Sequence, residues 1–177
     1  VAVAAGGSWF LASMSVRRKR MAEALRESEE KLRRMFKSAN DGIAVTDLNG
    51  AIIEINERGL EMYGASSREE LIGKNAFEFI AQRDRERVAV NMQKTLQQGS
   101  TEALEYTLVR IDGSEYPAEM STSAIEGASG NPASLIGIVR DTTERKQTED
   151  LEKEKVRLET EITERKQTEE EIRLLQM

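Results

Sequence analysis

Residues 43–64 read IAVTDLNGAIIEINERGLEMYG. Apolar and polar side chains alternate through IAVTD, the period of a strand with one buried face. Asp47, Leu48, Asn49 and Gly50 follow as a turn, with Gly50 able to take positive φ, and AIIEIN resumes the strand pattern. Asn56 then offers a side-chain oxygen to cap a short helix, NERGLEMYG, which Gly64 can end in a left-handed conformation. A hairpin running straight into a capped helix demands a mixed α and β domain.

The chain downstream meets that demand. Ser67 and Glu70 form a capping-box pattern opening REELIGK. Residues 84–98, DRERVAVNMQKTLQQ, place Val88, Met92, Thr95 and Leu96 near one helical face, and Gly99 stops the helix. Three strand-like runs follow: ALEYTLVRI, turned by Asp112 and Gly113; EYPAEMSTSAI, turned between Gly127 and Asn131; and ASLIGIVR. Two strands, several short helices and three strands predict an α+β fold, an antiparallel sheet with helices gathered on one face.

The flanks have a different texture. Residues 1–16, VAVAAGGSWFLASMSV, carry no charge, and Arg17, Arg18, Lys19 and Arg20 follow at once. The stretch is too short to cross a ~30 Å hydrocarbon layer, and a secretory signal would put its basic residues first. Residues 1–20 are therefore expected to be the last part of a transmembrane helix with a basic cytoplasmic flank, Trp9 and Phe10 packing on lipid or partner helices. A mildly apolar disordered tail is the alternative, since Gly6, Gly7 and Ser8 weaken a helix. The first residue, Val1, is not Met, so the chain is expected to be a piece of something longer.

From Met21 the spacing turns helical. Met21, Leu25, Ser28, Leu32, Met35 and Ala39 alternate steps of four and three, making residues 21–39 an amphipathic linker helix. Its stripe is narrow, and a parallel copy of itself would cover it; lying on its own domain is the other option. At the far end, residues 142–177, Leu151, Lys155, Leu158, Ile162, Arg165, Glu169 and Ile172 fall on a second heptad frame, three of them charged. The apolar members of the two frames, Met21, Leu25, Leu32, Met35, Leu151, Leu158, Ile162 and Ile172, form the candidate dimer seam. TERKQTE occurs twice, at 143–149 and 163–169. An offset of 20 residues is one short of three heptads, so the second copy reads as another junction-type linker or as chance reuse.

Composition closes several routes. The 177 residues include 33% charged and only 5% aromatic side chains, which suits a modest core with solvated helices. A net charge of -6 gives no electrostatic footprint for nucleic acid. With no Cys and no His, the usual thiol nucleophile, the usual general base and the commonest metal ligands are missing, so neither a catalytic centre nor a metal site is expected. Gly127-Ala128-Ser129-Gly130 lacks the Lys and the following helix of a phosphate loop.

Four phrases, in order and at the right spacing, carry a resemblance to the PAS domain family. They are the opening stretch at 43–64, SREELIGKNAFEFI at 67–80, RIDGSEYPAEMSTSAI at 110–125 and SLIGIVRDTTERKQ at 134–147. The resemblance covers about residues 30–145, and residues 40–141 are taken as the domain. It implies a five-stranded antiparallel sheet that encloses a small cavity with its short helices, flanked here by N- and C-terminal coiled-coil helices. Met62, Tyr63, Leu71, Ile72, Phe77, Phe79, Ile80, Tyr106, Met120 and Ile136 are the candidate lining. They would hold a small organic or fatty ligand, or simply fill a ligand-free core. Relatives that bind haem generally use a histidine and flavin-adduct relatives a cysteine, so both cofactors are disfavoured; non-covalent flavin stays open.

The family often leaves its last strand through an Asp-x-Thr element into a signalling helix, which here is Asp141, Thr142 and Thr143. Asp141 can cap that helix and Glu144 can return the bond. Thr142, where an apolar residue is usual, argues against tight packing at the joint. The resemblance implies a cytoplasmic sensory and dimerisation module of a transmembrane signal-transduction protein of the histidine-kinase, two-component kind. Such a module would be a homodimer at the inner membrane, joined covalently to a downstream output domain. Motion entering at one side of the sheet would cross it to leave at the other. A ligand-free dimerisation spacer is the alternative.

Overall fold

The Asp47–Gly50 turn closes as its residues dictate. Asp47 Oδ1 accepts from the Asn49 and Ala51 amides at 2.9 and 2.8 Å, and Gly50 sits at φ 88. The computed structural model describes the backbone of residues 4–175 and side chains over 17–167, 169 and 173. Around the turn, β1 (Gly42–Thr46) and β2 (Ile52–Ile55) pair antiparallel, and α2 (Glu57–Tyr63) follows at once. Asn56 caps α2 through the Gly59 amide, and Gly64 ends it at φ 69.

Short 3-10 turns at Arg68–Glu70, Ala76–Phe79 and Gln82–Asp84 lead into α3 (Arg85–Gln98). The capping box expected at Ser67 forms elsewhere. Ser67 makes no side-chain capping bond, and Glu70 accepts from the Ser66 amide instead (3.2 Å). The reciprocal box belongs to Asn75 and Glu78, whose turn packs Phe79 inward.

Strands β3 (Ser100–Val109), β4 (Glu115–Glu126) and β5 (Pro132–Asp141) complete a five-stranded antiparallel sheet of order β2-β1-β5-β4-β3. Its inner face and the helices bury two apolar clusters. Met62, Ile80, Val88, Tyr106, Leu108 and Val139 belong to the first, and Ile52, Ile55, Leu60, Tyr63, Leu71 and Phe79 to the second.

Two long helices flank the sheet. One is α1 (Ala4–Ser38), which runs through Gly6 and Gly7 without a break; the other is α4 (Thr143–Leu175), which contains both TERKQTE copies. Among the described residues no helix is long and apolar enough to cross a membrane. The expected roles of Trp9, Phe10 and Ile172 fall outside the described side chains.

The route expected across the sheet is corrected by the topology. Helix α1 hands over to the start of β1, and α4 begins where β5 ends. These neighbouring strands pair Gly42 with Val139, so the two helices root at the same end of the sheet.

Candidate functional site

The inner face of the sheet leaves a cavity of about 80 Å³ against α2, α3 and the Ala76–Phe79 turn. Of the candidate lining, Tyr63, Phe77, Ile80 and Met120 face it. Met62 lies beside it, in a smaller cleft under Gly42. Leu71, Phe79 and Tyr106 are buried in the surrounding core, with the Tyr63 and Phe79 rings 5.0 Å apart. Burial pushes the Tyr63 phenol up to about 12, so it stays neutral.

Two candidates are corrected. Ile72 is 42% exposed, because the 3-10 turn before it ends and turns its side chain out. Ile136 pairs with Val45 on the outer face, since strand alternation sends Leu135, Gly137 and Val139 inward. Val88, Asn91, Met92, Thr122, Leu135 and Val139 also line it. The helical spacing Val88, Asn91, Thr95 would have found Asn91, had its polarity not suggested the solvent side.

Where α1 meets the sheet, one buried side chain does most of the joining. Asn56 is fully buried; its Oδ1 accepts from the Ile43 and Gly59 amides, both at 2.8 Å. Its Nδ2 donates to the carbonyls of Phe36, in α1, and Asp41, at 3.2 and 3.0 Å. Just beyond, Arg140 donates two bonds to Asp41, 3.0 and 2.7 Å long. The Arg140 hydrogen bond holds the Asp41 carboxyl below the usual carboxylate range. This fork connects the residue before β1, three positions beyond the end of α1, to the residue before Asp141.

The start of α4 is clamped as well. Asp141 Oδ1 accepts from the Thr143 amide (2.8 Å), while Asp141 Oδ2 faces Arg110, which lies 4.1 Å from the Tyr116 ring centroid. The Thr142 carbonyl accepts from the Lys146 amide, so Thr142 takes the cap position and Asp141 stays in β5. The return bond expected from Glu144 is therefore not made.

Glu105 and Glu119 sit directly opposite each other on β3 and β4, a repulsive pair by themselves. Arg145 bonds both, at 3.2 and 2.8 Å, and Lys146 bonds Glu105 at 2.8 Å. Lys146 above all lowers the Glu105 carboxyl. The first TERKQTE copy thus grips the sheet. In the second copy Arg165 pairs with Glu169 along the helix, about 200° around from the first at ~100° per residue.

A family profile described as PAS domain matches residues 40–144, more than half of the chain. The chain belongs to the PAS domain family. A PAS domain from Colwellia psychrerythraea superposes with a TM-score of 0.60 at 28% identity, covering 65% of this chain and 97% of that one. A light-oxygen-voltage domain studied with a flavin analogue, TM-score 0.56 at 18% identity, covers 72% of this chain and 96% of that one and shares the fold. Among curated proteins, the methyl sulfide methyltransferase-associated sensor of Methanosarcina acetivorans is 30% identical over 79% of this chain and 14% of its own length. Sporulation kinase A of Bacillus subtilis is 30% identical over 76% and 22%. The chain therefore spans under a quarter of either relative.

Thr142 packs tightly at the PAS joint although it stands where an apolar residue is usual. It is 2% exposed, its amide donates to the Pro117 carbonyl at 3.0 Å, and its buried hydroxyl has no partner among the described residues. A buried hydroxyl without a bond is costly, and this one caps nothing. Thr142→Val is expected to stabilise the domain by about 1 kcal/mol, read as a higher urea midpoint at unchanged slope.

Proposed function

We propose that this PAS domain is the sensory and dimerisation module of a membrane-anchored signalling protein of the sensor-kinase kind. It is not itself catalytic, and it passes a change in α1 to α4 and on to a linked output domain. One observation carries the reading: α1 and α4 root at the same end of adjacent strands, with Arg140 forked onto Asp41 between them. A shift of α1 then reaches the Asp141–Thr143 joint over a few side chains.

Anchoring and a cytoplasmic orientation rest on the uncharged residues 1–16 and the Arg17–Arg20 cluster. Dimerisation rests on Met21, Leu25, Leu32 and Met35, which are 59–67% exposed along one stripe of α1. The cavity bears on the cofactor question. At about 80 Å³ it lies well below the ~300 Å³ of ordinary ligand pockets and does not fit a flavin. The same small volume favours a second reading, a dimerisation spacer with no ligand; removing residues 21–39 would then abolish the dimer, and no small molecule would be found to bind.

The test is a charge exchange in the full-length parent. Asp41→Arg or Arg140→Asp alone should uncouple output from stimulus, and the double exchange should restore it. Normal signalling by both single variants would sink the lateral route. Asp141→Ala should likewise uncouple output while lowering the isolated domain's stability by only about 1 kcal/mol, a capping-scale loss.

A further inference from the structure

The hold of the sheet on α4 changes in kind at Thr143. Up to that residue it is local and partly buried: the Thr142 amide donates to the Pro117 carbonyl, and the Asp141 carboxylate accepts from the Thr143 amide. One turn on, the bonds from Arg145 and Lys146 to Glu105 and Glu119 join charged side chains that are 26–52% exposed. Exposed pairs of this kind are weak singly, and dissolved salt screens them further.

Two observations make this grip reversible and not merely weak. Glu105 and Glu119 face each other across β3 and β4 and repel once Arg145 leaves. Arg140 stands opposite Glu119 on β5 but is already forked onto Asp41, so it does not take the place of Arg145. Salt screens this repulsion as well as the attraction, so it eases the released sheet while it loosens the docked helix. The second observation is that Arg145 has another carboxylate on its own helix. Glu149 Oε1 lies 3.8 Å from Arg145 Nε, four residues on. The second TERKQTE copy displays the pairing that Arg145 would adopt: Arg165 and Glu169, the same two positions of the motif, bond at 3.3 Å.

We infer that the first turn of α4 is an ionic-strength switch. At low salt Arg145 and Lys146 dock it on Glu105 and Glu119; rising salt transfers Arg145 to Glu149 and frees the helix to swing about the Asp141–Thr143 joint. Resting on the reading of α4 as the output helix, this gives the domain a second input that needs neither α1 nor the cavity. Its signal is the concentration of small ions, not a bound molecule.

The chain has no cysteine, so Ala103→Cys on β3 and Val156→Cys on α4, both exposed, can carry a pair of spin labels without background. Labelled chain is diluted into unlabelled chain, so that pulsed electron resonance reads distances within one molecule. Between about 0.02 and about 0.5 M sodium chloride the screening length falls from roughly 20 to roughly 4 Å. Over that range the docked population should lose roughly half its weight to a displaced one. Sucrose at matched osmolality should leave the distribution unchanged. Arg145→Gln should show the displaced population already at low salt. Glu105→Gln with Glu119→Gln, which removes both the pairing and the repulsion, should abolish the salt response. That variant also separates this grip from the Asp41–Arg140 fork, which salt screens too. A distribution that ignores salt, an equal shift with sucrose, a docked helix in Arg145→Gln or a full salt response in the double variant would overturn the proposal. The salt series keeps all four charged residues, so it decides the matter even if the variants misfold. The charge exchange at Asp41 and Arg140 tests the relay separately, and neither result fixes the other.

Discussion

Asn56→Ala is expected to cost the domain about 3 kcal/mol, a large part of the ~5–15 kcal/mol that holds a domain of this size folded. The substitution strands four backbone groups together: the Ile43 and Gly59 amides and the Phe36 and Asp41 carbonyls. Each buried group left without a partner costs roughly 1–3 kcal/mol, and the lost helix cap alone is worth about 1. Water entering the space left by the amide would recover part of the sum, which is why the expected figure lies below the simple total. Urea denaturation should show a lower midpoint at unchanged slope. Hydrogen exchange should show the last turn of α1 opening before the sheet does, since the Phe36 carbonyl loses its tie to the domain. Asn56→Asp gives an internal control: it keeps the acceptor for Ile43 and Gly59 but turns a carboxylate toward two carbonyls. A loss below 1 kcal/mol in Asn56→Ala would show that the junction is held by packing and not by this side chain.

Asp84→Ala is the second large effect, expected at about 2–3 kcal/mol. Asp84 is buried at the start of α3; it accepts from the Thr107 amide at 2.8 Å and from Arg87 at 2.7 Å. The two partners do not matter equally. The Arg87 side chain is 57% exposed and rehydrates when its carboxylate is removed, whereas the Thr107 amide in β3 does not. The orphaned amide therefore sets the cost, below the ~3–5 kcal/mol seen when a fully buried ion pair is broken.

The same residue gives a pH signature. Burial pushes the Asp84 carboxyl up, but the bonds from Thr107 and Arg87 outweigh it, and the net shift is downward. A carboxyl with a lowered folded-state value contributes its full stability above the unfolded value of about 4 and loses it as pH falls through the folded one. Stability of the unaltered domain should thus drop below about pH 4. Asp84→Asn should start lower at pH 7 and lose less across that window. Asp41 shifts in the same direction, so the difference between the two curves, not either alone, reports Asp84. Parallel curves would mean that Asp84 is not ionised in the folded state.

The joints of the two long helices frame how the domain can move. Asn56 and the Asp41–Arg140 fork hold the incoming helix, while Asp141, buried Thr142 and the Arg145–Lys146 grip on Glu105 and Glu119 hold the outgoing one. Both sets lie outside the cavity wall. A ligand in the cavity would act on the joints through the strands that line it, β1, β4 and β5, as a bias on a connection that exists without it.

Much of this was legible in the chain. The period of two in IAVTD, the Asp47–Gly50 turn, the Asn56 cap and the Gly64 stop are local events, each decided by residues within a few positions. Local rules fail where a neighbouring group competes for the same bond or where the deciding partner lies far away in sequence. Ser67 lost its capping role because Glu70 met the Ser66 amide, and Asn75 with Glu78 took up the box. Thr142 looked too polar for tight packing, yet β4 closes over it through Pro117. Ile136 looked like core until the register with Val45 put it on the outer face.

The order of elements, the α+β class and the family were readable from the chain alone, because alternation, caps and turns are written in neighbouring residues. The assembled fold, and nothing local, brings both long helices to one end of the sheet and Asp41 to Arg140, 99 positions away. It also decided that an asparagine faces the cavity. Strand order and register are set by which faces bury together across the whole chain, and no local pattern encodes that choice.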